Sequence, residues 1–238
     1  MRRLSPLLLR LRLLGALLAT LGAAPGVRAA ETAAPPNGIA IAVVFDTSGS
    51  MRAAIPTKAG RKPEAKIVIA QRAFGAVIDR LQTFARSSAA RPLSVGVYVF
   101  DGMEAKVAVP LSPFDPARLR QWLVATRTES STPLGEALFL AGRDLLAAPV
   151  AARHLLVLTD GANTTGRTPE TALAQINEAS SRKQTSVFAH IIALDIKPAV
   201  FAALKQQGAT LIGATNEAQL NIQFDFILEH NILVEAPR

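Results

Sequence analysis

Residues 39–50 read IAIAVVFDTSGS, an unbroken apolar run that stops abruptly at a carboxylate and three hydroxyl side chains. The run Ile39–Phe45 is rich in β-branched residues, the composition of a strand that is buried on both faces of a parallel sheet. The polar residues that follow it then lie at the carboxyl end of that strand. In an open parallel sheet, this is the edge at which ligands bind.

Further apolar runs of the same character follow along the chain, and segments with helical spacing alternate with them. This alternation predicts βαβ units in a doubly wound sheet. Asp101-Gly102, a turn pair typical of a hairpin, precedes Met103–Val109 and predicts one antiparallel edge strand. We therefore expect an α/β domain with a mostly parallel sheet of about six strands, in the order 3-2-1-4-5-6, and with helices on both faces. The other predicted strands are Leu93–Phe100, His154–Thr159, Ser186–Leu194 and Ala209–Ile212, and the predicted helices are Lys66–Arg86, Pro133–Ala147, Thr171–Arg182, Ala199–Gln207 and Glu217–Glu229.

The N-terminal region has the composition of an export signal. Residues 1–29 carry five arginines and no acidic residue, and the apolar run Leu13–Ala24 ends in small residues. This pattern predicts a secretory signal peptide cleaved after Ala29, with an uncleaved N-terminal anchor as the alternative. We expect a flexible leader over residues 30–38, a domain over 39–231 and a tail over 232–238, in a protein that is periplasmic or secreted.

Composition excludes several classes of function. The net charge of +8 falls to +3 when the five arginines of residues 1–29 are removed, so most of the basic character belongs to the export signal. The single Trp and single Tyr leave little for bases to stack on, which argues against nucleic-acid binding. The absence of cysteine excludes disulfides and thiolate metal sites. The chain has no second long apolar segment, so we predict no membrane span in the mature chain.

Three polar segments are predicted to meet at one edge of the sheet. In the first, Asp46, Ser48 and Ser50 alternate, so that one tight loop directs three oxygens toward a common point. Asp160 follows the strand predicted to neighbour the first, which brings both aspartates to one crevice. Thr132 precedes Pro-Leu at a predicted helix start, with Thr132 as the N-cap and Pro133 in the first helical position. Oxygen ligands of this kind suit hard divalent cations such as Mg²⁺.

Together the three segments resemble the metal-ion-dependent adhesion site, or MIDAS, of the von Willebrand factor A domain family. The matching features are D-x-S-x-S at positions 46, 48 and 50, the threonine at 132, and T-D-G at 159 to 161. The resemblance covers Ile39–Glu229 and implies that Mg²⁺ or Mn²⁺ is held by Asp46, Ser48, Ser50, Thr132 and Asp160. It further implies an exported, non-enzymatic interaction domain whose metal ion binds a Glu or Asp carboxylate of a partner protein.

Two other functions stay open. The first is a metal-dependent hydrolase that uses the same crevice, although Asp46-Thr47-Ser48 departs from the D-T-G-S loop of aspartic proteases and the G-x-S-x-G elbow of serine hydrolases is missing. An Asp46 nucleophile would also lack a second acid beside it. The other is a domain that binds its partner through helices or sheet edges and whose metal is only structural.

The remaining charged groups have ordinary interpretations. The segment Arg52–Glu64 is predicted to be a solvated loop, and its basic residues, if they flank the crevice, would steer an acidic partner toward it. These residues are Arg52, Lys58, Arg61 and Lys62, together with Lys66. His154, His190 and His230 do not cluster in the sequence, so we expect packed or surface histidines and no zinc site.

Overall fold

The computed structural model describes residues 37–57, 62–129 and 131–234, with Asp101 described by its backbone alone. The predicted signal peptide, most of the predicted leader and residues 235–238 lie outside these ranges, so those predictions are not tested. Within the described ranges, no helix combines the length and hydrophobicity needed to cross a membrane.

The centre of the domain is a six-stranded sheet. Its strands are β1 (Ile39–Phe45), β2 (Leu93–Asp101), β3 (Glu104–Pro113), β4 (Ala152–Thr159), β5 (Phe188–Leu194) and β6 (Thr210–Ala214). In the sheet they lie in the order β3-β2-β1-β4-β5-β6. All neighbouring strands are parallel except β2 and β3, which form an antiparallel hairpin at one edge. The predicted strand order and the antiparallel edge strand are confirmed.

Helices cover both faces of the sheet, as the sequence predicted. The helices are α1 (Lys66–Ser87), α2 (Pro116–Ala125), α3 (Leu134–Ala147), α4 (Pro169–Arg182), α5 (Ala202–Gln206) and α6 (Glu217–Ile227). One face of the sheet packs against α1, α2 and α6, and the other packs against α3, α4 and α5. A 3₁₀ turn at Pro198–Phe201 precedes α5, and a π-helical turn at Leu228–Ile232 follows α6. Each turn overlaps one end of a predicted helix: the first overlaps the start of Ala199–Gln207, and the second overlaps the end of Glu217–Glu229.

Strand β1 owes its continuous apolar sequence to its central position. Its side chains alternate between the two cores, and every residue is at most 1% exposed. The side chains of Ile39, Ile41, Val43 and Phe45 face the core that contains α1 and α2, whereas those of Ala40, Ala42 and Val44 face the core that contains α3. Because both faces are covered by helices, no polar residue interrupts the run before Asp46.

Helix α2 was not predicted, although its start signal is present in the sequence. Asp115 caps the helix, since its carboxylate accepts hydrogen bonds from the backbone nitrogens of Ala117 and Arg118, both at 3.0 Å. Pro116 occupies the first turn, where its missing N–H costs nothing. The helix buries Leu119 and Leu123, spaced four residues apart. An Asp-Pro pair followed by two leucines four residues apart is enough to predict this helix.

Two loops differ from their predictions. The segment after the first polar loop is not simply solvated, because it contains a two-stranded ribbon, Ala54–Ile55 with Glu64–Ala65, and buries Ile55. In the β2–β3 hairpin, Asp101 pairs with Glu104, so the turn residues are Gly102 and Met103 instead of Asp101 and Gly102. Gly102 adopts a φ of 61°, which favours glycine.

Candidate metal centre

The pairing of β1 with β4 brings the two aspartates to one crevice. The backbone nitrogen of Asp46 donates to Leu158 O at 3.0 Å, which extends the strand pairing by one residue. One carboxylate oxygen of Asp46, Oδ2, then accepts hydrogen bonds from Thr159 Oγ1 at 2.6 Å and from the backbone nitrogen of Asp160 at 3.4 Å. The crevice lies at the carboxyl ends of the central strands, where the strand order predicted it.

The loop from Asp46 to Ser50 is folded back on its own carboxylate. Asp46 Oδ1 accepts a hydrogen bond from the backbone nitrogen of Ser48 at 2.7 Å. The hydroxyls of Ser48 and Ser50 lie 2.9 Å apart, and Ser50 Oγ donates to Asp160 Oδ1 at 2.7 Å. Oxygens of Ser48, Ser50 and Asp160 thus form one continuous chain. Asp46, Ser48 and Asp160 are buried, whereas Ser50 is exposed, so the crevice opens to solvent beside Ser50.

Thr132 lies at the mouth of this crevice but does not cap α3. The helix begins at Leu134 with Pro133 in the capping position, so the predicted helix start is wrong by one residue. The Thr132 backbone is fixed instead by Thr164, through hydrogen bonds of 2.9 and 3.0 Å. A Cβ atom built on Gly161 would lie 3.6 Å from Ser50 Oγ and 3.8 Å from Thr132 Oγ1. The two hydroxyls therefore border the same small space.

Residues that the sequence did not single out hold the Thr132 segment in place. Asn163 Oδ1 accepts a hydrogen bond from the backbone nitrogen of Gly135 at 3.0 Å. A Cβ atom on Gly135 would lie 2.0 Å from Arg167 O, so glycine is what allows the start of α3 to approach this loop. Asn163 and Thr164, for which no ligand role was predicted, thus position Thr132.

Thr47 anchors the first polar loop to the neighbouring strand β2. Its side-chain oxygen donates to Phe100 O at 3.2 Å and accepts from the backbone nitrogen of Phe100 at 3.1 Å. The backbone oxygen of Thr47 accepts a hydrogen bond from the nitrogen of Glu129. These contacts point the Thr47 side chain away from the crevice while Ser48 and Ser50 face it.

The two aspartates differ in their electrostatic surroundings. Burial raises the pKa of Asp46, hydrogen bonds from Ser48 and Thr159 oppose that effect, and the charge of Asp160 adds to it. Within the described residues, Asp46 is in no ion pair, so it is a fully buried carboxylate without a cationic partner. Asp160 is different, because the ammonium group of Lys66 lies 3.0 Å from its Oδ2 atom.

Lys66 and Asp195 are the functional-site residues that sequence reasoning missed. Lys66 was assigned to a solvated basic segment, yet its side chain is only 8% exposed and its Nζ atom also lies 3.0 Å from Asp195 Oδ2. Burial lowers the pKa of Lys66, but the ion pairs with Asp195 and Asp160 outweigh it and leave that pKa above its ordinary value. Asp195 follows β5 as Asp46 follows β1, which was the available signal.

The rest of the basic segment lies outside the crevice. Arg52 is exposed and donates hydrogen bonds to Thr128 Oγ1 at 3.2 Å and to Glu129 O at 3.5 Å. Lys62 is exposed, and Lys58 and Arg61 fall outside the described residues. Among the described basic residues of this segment, only Lys66 contacts a predicted ion ligand, Asp160.

The donor atoms around the crevice fit a hard cation. They are hydroxyl and carboxylate oxygens, the ligands that Mg²⁺ prefers, and a divalent ion would supply the positive charge that buried Asp46 lacks. No cluster of three or more His, Cys, Asp or Glu side chains suited to a metal occurs in the described ranges. The predicted site therefore depends on its three hydroxyls.

The buried histidines lie away from this site, near the opposite end of β4. His154 Nδ1 and His190 Nε2 are 3.2 Å apart and hydrogen bond to each other. Burial lowers the pKa of His154 to about 3 and that of His190 to about 4, so both imidazoles are neutral at pH 7. The sequence did not predict this pairing, because the two residues meet only through the register of β4 and β5.

Among the comparisons with known proteins, the solved structures show the same fold as this chain. No family model matches the chain, and no curated protein matches it. Its structure resembles the PilB minor pilin from Streptococcus sanguinis, with a TM-score of 0.61, 18% identity, and coverage of 81% of this chain and 60% of the pilin. It also resembles the vWF domain of the type V pili tip protein Mfa5 from Porphyromonas gingivalis, with a TM-score of 0.60, 15% identity, and coverage of 81% and 94%.

A further structural neighbour is proximal thread matrix protein 1 from the mussel byssus, solved with a zinc-occupied MIDAS motif. Its TM-score is 0.58 at 16% identity, with coverage of 80% of this chain and 47% of that protein. The chain thus spans less than two thirds of the pilin and of the byssus protein. At these identities the likeness concerns the fold, and the chain has a von Willebrand factor A-like α/β fold.

Proposed function

We propose that this chain is an exported interaction domain that binds a partner protein through a divalent metal ion, Mg²⁺ or Mn²⁺. In this proposal the ion is held by Asp46, Ser48, Ser50, Thr132 and Asp160. The observation that carries the proposal is the convergence of these oxygens around a fully buried carboxylate that has no cationic partner in the described residues. Burying such a charge is costly unless a cation compensates it.

The chemistry of the donors favours an anionic partner group. Hydroxyl oxygens are neutral, so the charge of the ion would be offset by carboxylates alone, and Asp160 is already paired with Lys66. An ion in such a site stays electrophilic and attracts a further anionic oxygen. The crevice opens to solvent beside Ser50, which gives a Glu or Asp carboxylate of a partner protein a path to the ion.

The structural neighbours support an adhesion-type role outside the cytoplasm. Two of them are a pilin and a pili tip protein, and a third carries an occupied MIDAS motif. The predicted signal peptide over residues 1–29 agrees with that location. None of these three proteins is named as an enzyme, and we propose that this domain is not one.

The contacts of the two aspartates also favour binding over hydrolysis. Each oxygen of Asp46 accepts a hydrogen bond from the protein, and each oxygen of Asp160 is bound by Ser50 or Lys66. A nucleophile or general base must come within hydrogen-bond reach of its substrate, whereas Asp46 and Asp160 are only 0% and 5% exposed. These carboxylates are instead fixed, as ligands or outer partners of an ion would be.

Isothermal titration of the purified chain with MgCl₂ and with MnCl₂ tests the ion site. We expect one ion per chain, and loss of binding in Asp46→Asn and Thr132→Ala. Asp225→Asn is the matched control, because Asp225 forms an ion pair with Arg80 on the helical surface and is remote from the crevice. Retention of binding by Asp46→Asn, or the absence of binding by the wild type at millimolar ion, would overturn the site assignment.

Partner binding then separates an ion that contacts the partner from one that is only structural. The immobilised chain is exposed to proteins of the cell surface and of the medium, in Mg²⁺ or in chelator. We expect capture that requires both the metal and Asp46. Capture of the same protein in chelator would mean that the partner contacts helices or sheet edges instead of the ion.

A further inference from the structure

A single ammonium group links the candidate metal centre to a third strand end. Lys66 Nζ lies 3.0 Å from Asp160 Oδ2, at the end of β4, and 3.0 Å from Asp195 Oδ2, just after β5. The side chains of Lys66 and Asp160 are 8% and 0% exposed, whereas that of Asp195 is 42% exposed. Water therefore screens the contact with Asp195 far more than the contact with Asp160.

The chain path explains how a lysine reaches this place. Lys66 is the first residue of α1, and its backbone nitrogen donates to Ala53 O at 2.9 Å, within the segment that follows the first polar loop. The ribbon pairing of Ala54 with Ala65 returns the chain to that loop. The position of Lys66 is thus fixed by the backbone that leads away from Ser50.

Lys66 and an incoming cation would share one carboxylate. Asp160 Oδ1 accepts a hydrogen bond from Ser50, and Asp160 Oδ2 accepts one from the ammonium group of Lys66. One of the two oxygens of this carboxylate therefore already contacts a positive charge. Charges a few ångströms apart in a buried place interact strongly. An ammonium group bound to one of only two carboxylates in the predicted ligand set repels a divalent ion.

We propose that Lys66 is a built-in counter-cation that competes with the divalent ion for Asp160 and so weakens ion binding. Asp195 has the opposite effect, because it draws part of the ammonium charge toward the exposed rim. This inference rests on the proposed function, since it concerns the affinity of that same ion site. Lys66 is not an ion ligand here but a residue that sets how tightly the ion is held.

The test is the affinity of the full chain for Mg²⁺ and Mn²⁺, measured by isothermal titration for two variants with opposite expectations. Lys66→Met keeps an unbranched side chain, one atom shorter, but removes its charge, and we expect affinity at least about tenfold tighter than wild type. Asp195→Asn leaves Lys66 with Asp160 alone, and we expect affinity several-fold weaker. Lys66→Arg retains the charge and is expected to stay near wild type.

Arg80→Met is the matched control, because Arg80 is another cation of α1 that bridges two carboxylates, Asp225 and Glu229, and these lie on the helical surface. We expect its ion affinity to equal that of wild type. If Lys66 only stabilises the fold, Lys66→Met and Asp195→Asn lower the unfolding temperature and leave the affinity unchanged, which overturns this inference. Asp195→Asn, at a half-exposed position, gives an answer even if Lys66→Met does not fold.

The wild type distinguishes failure of this inference from failure of the proposed function. Ion binding by wild type with no tightening in Lys66→Met overturns only the role of Lys66. No ion binding by either protein overturns the competition and the proposed function together.

Discussion

Gly135→Ala tests whether the close approach of α3 to the loop before α4 fixes the Thr132 segment. The new Cβ atom would lie 2.0 Å from Arg167 O, 2.6 Å from Arg167 C and 2.7 Å from Thr168 C. These are backbone atoms, so the contact is relieved only by moving the loop or the start of the helix. Overpacking of this kind costs about 3 kcal/mol, at the upper end of the usual range.

A gain in helix propensity opposes this cost. Alanine in place of glycine stabilises a helix by up to about 1 kcal/mol, which leaves a net loss of about 2 kcal/mol in the free energy of unfolding. Gly75→Ala is the matched control, because a Cβ atom there meets only Leu123 Cδ2, at 3.9 Å. We expect Gly75→Ala to be neutral or to stabilise the protein by up to about 1 kcal/mol.

Urea denaturation of the two variants and wild type measures the difference through the midpoint, at constant slope. Because Gly135 is three residues from Thr132, we also expect Gly135→Ala to weaken ion binding while Gly75→Ala leaves it unchanged. The reasoning is refuted if Gly135→Ala is no less stable than Gly75→Ala.

Two further predictions concern buried polar groups. Thr47→Val removes both hydrogen bonds to Phe100 and leaves buried backbone groups unpaired. We therefore expect urea denaturation to show a loss of about 1–3 kcal/mol in the free energy of unfolding, with Thr47→Ser close to wild type. A Thr47→Val protein as stable as Thr47→Ser contradicts this prediction. His154 and His190 have folded pKa values of about 3 and about 4, below the ordinary 6.5, so the unfolded chain takes up protons first and stability falls as the pH drops below 6.5. At pH 5 each histidine then lowers the free energy of unfolding by about 2 kcal/mol relative to pH 7. Denaturation of the double variant His154→Leu/His190→Leu at both pH values should show little of this loss. An equal pH dependence in the variant would refute the assignment.

The central part of the fold was readable from the sequence because it is recorded in local patterns. An unbroken apolar run such as Ile39–Phe45 is typical of a strand that is covered on both faces, and the alternation of strands and helices predicts a doubly wound parallel sheet. The convergence of Asp46 and Asp160 follows in turn, since neighbouring parallel strands end at the same edge. Helix α2 also had a local signal, in the Asp115 cap, which was not used.

What the sequence did not reveal depends on side-chain reach and on contacts between distant segments. Lys66 looked like one more residue of a basic loop, and its ion pair with Asp160 joins positions 94 residues apart. The start of α3 was misplaced because Thr132 is fixed by Thr164, a contact across the crevice that outweighs the local capping preference. Local propensity predicts where an element begins only when no tertiary contact competes with it.

The unfolding temperature of the purified chain, in chelator and across a Mg²⁺ or Mn²⁺ titration, tests the ion site most directly. Ion at about 100 times its dissociation constant should add about 2.7 kcal/mol of stability, and raise the midpoint by roughly 5–10 °C for a domain of this size. We expect wild type to show this rise and Asp46→Ala and Asp160→Ala to lose it. A wild-type midpoint that does not respond to ion, or a rise that both variants keep, would contradict the account.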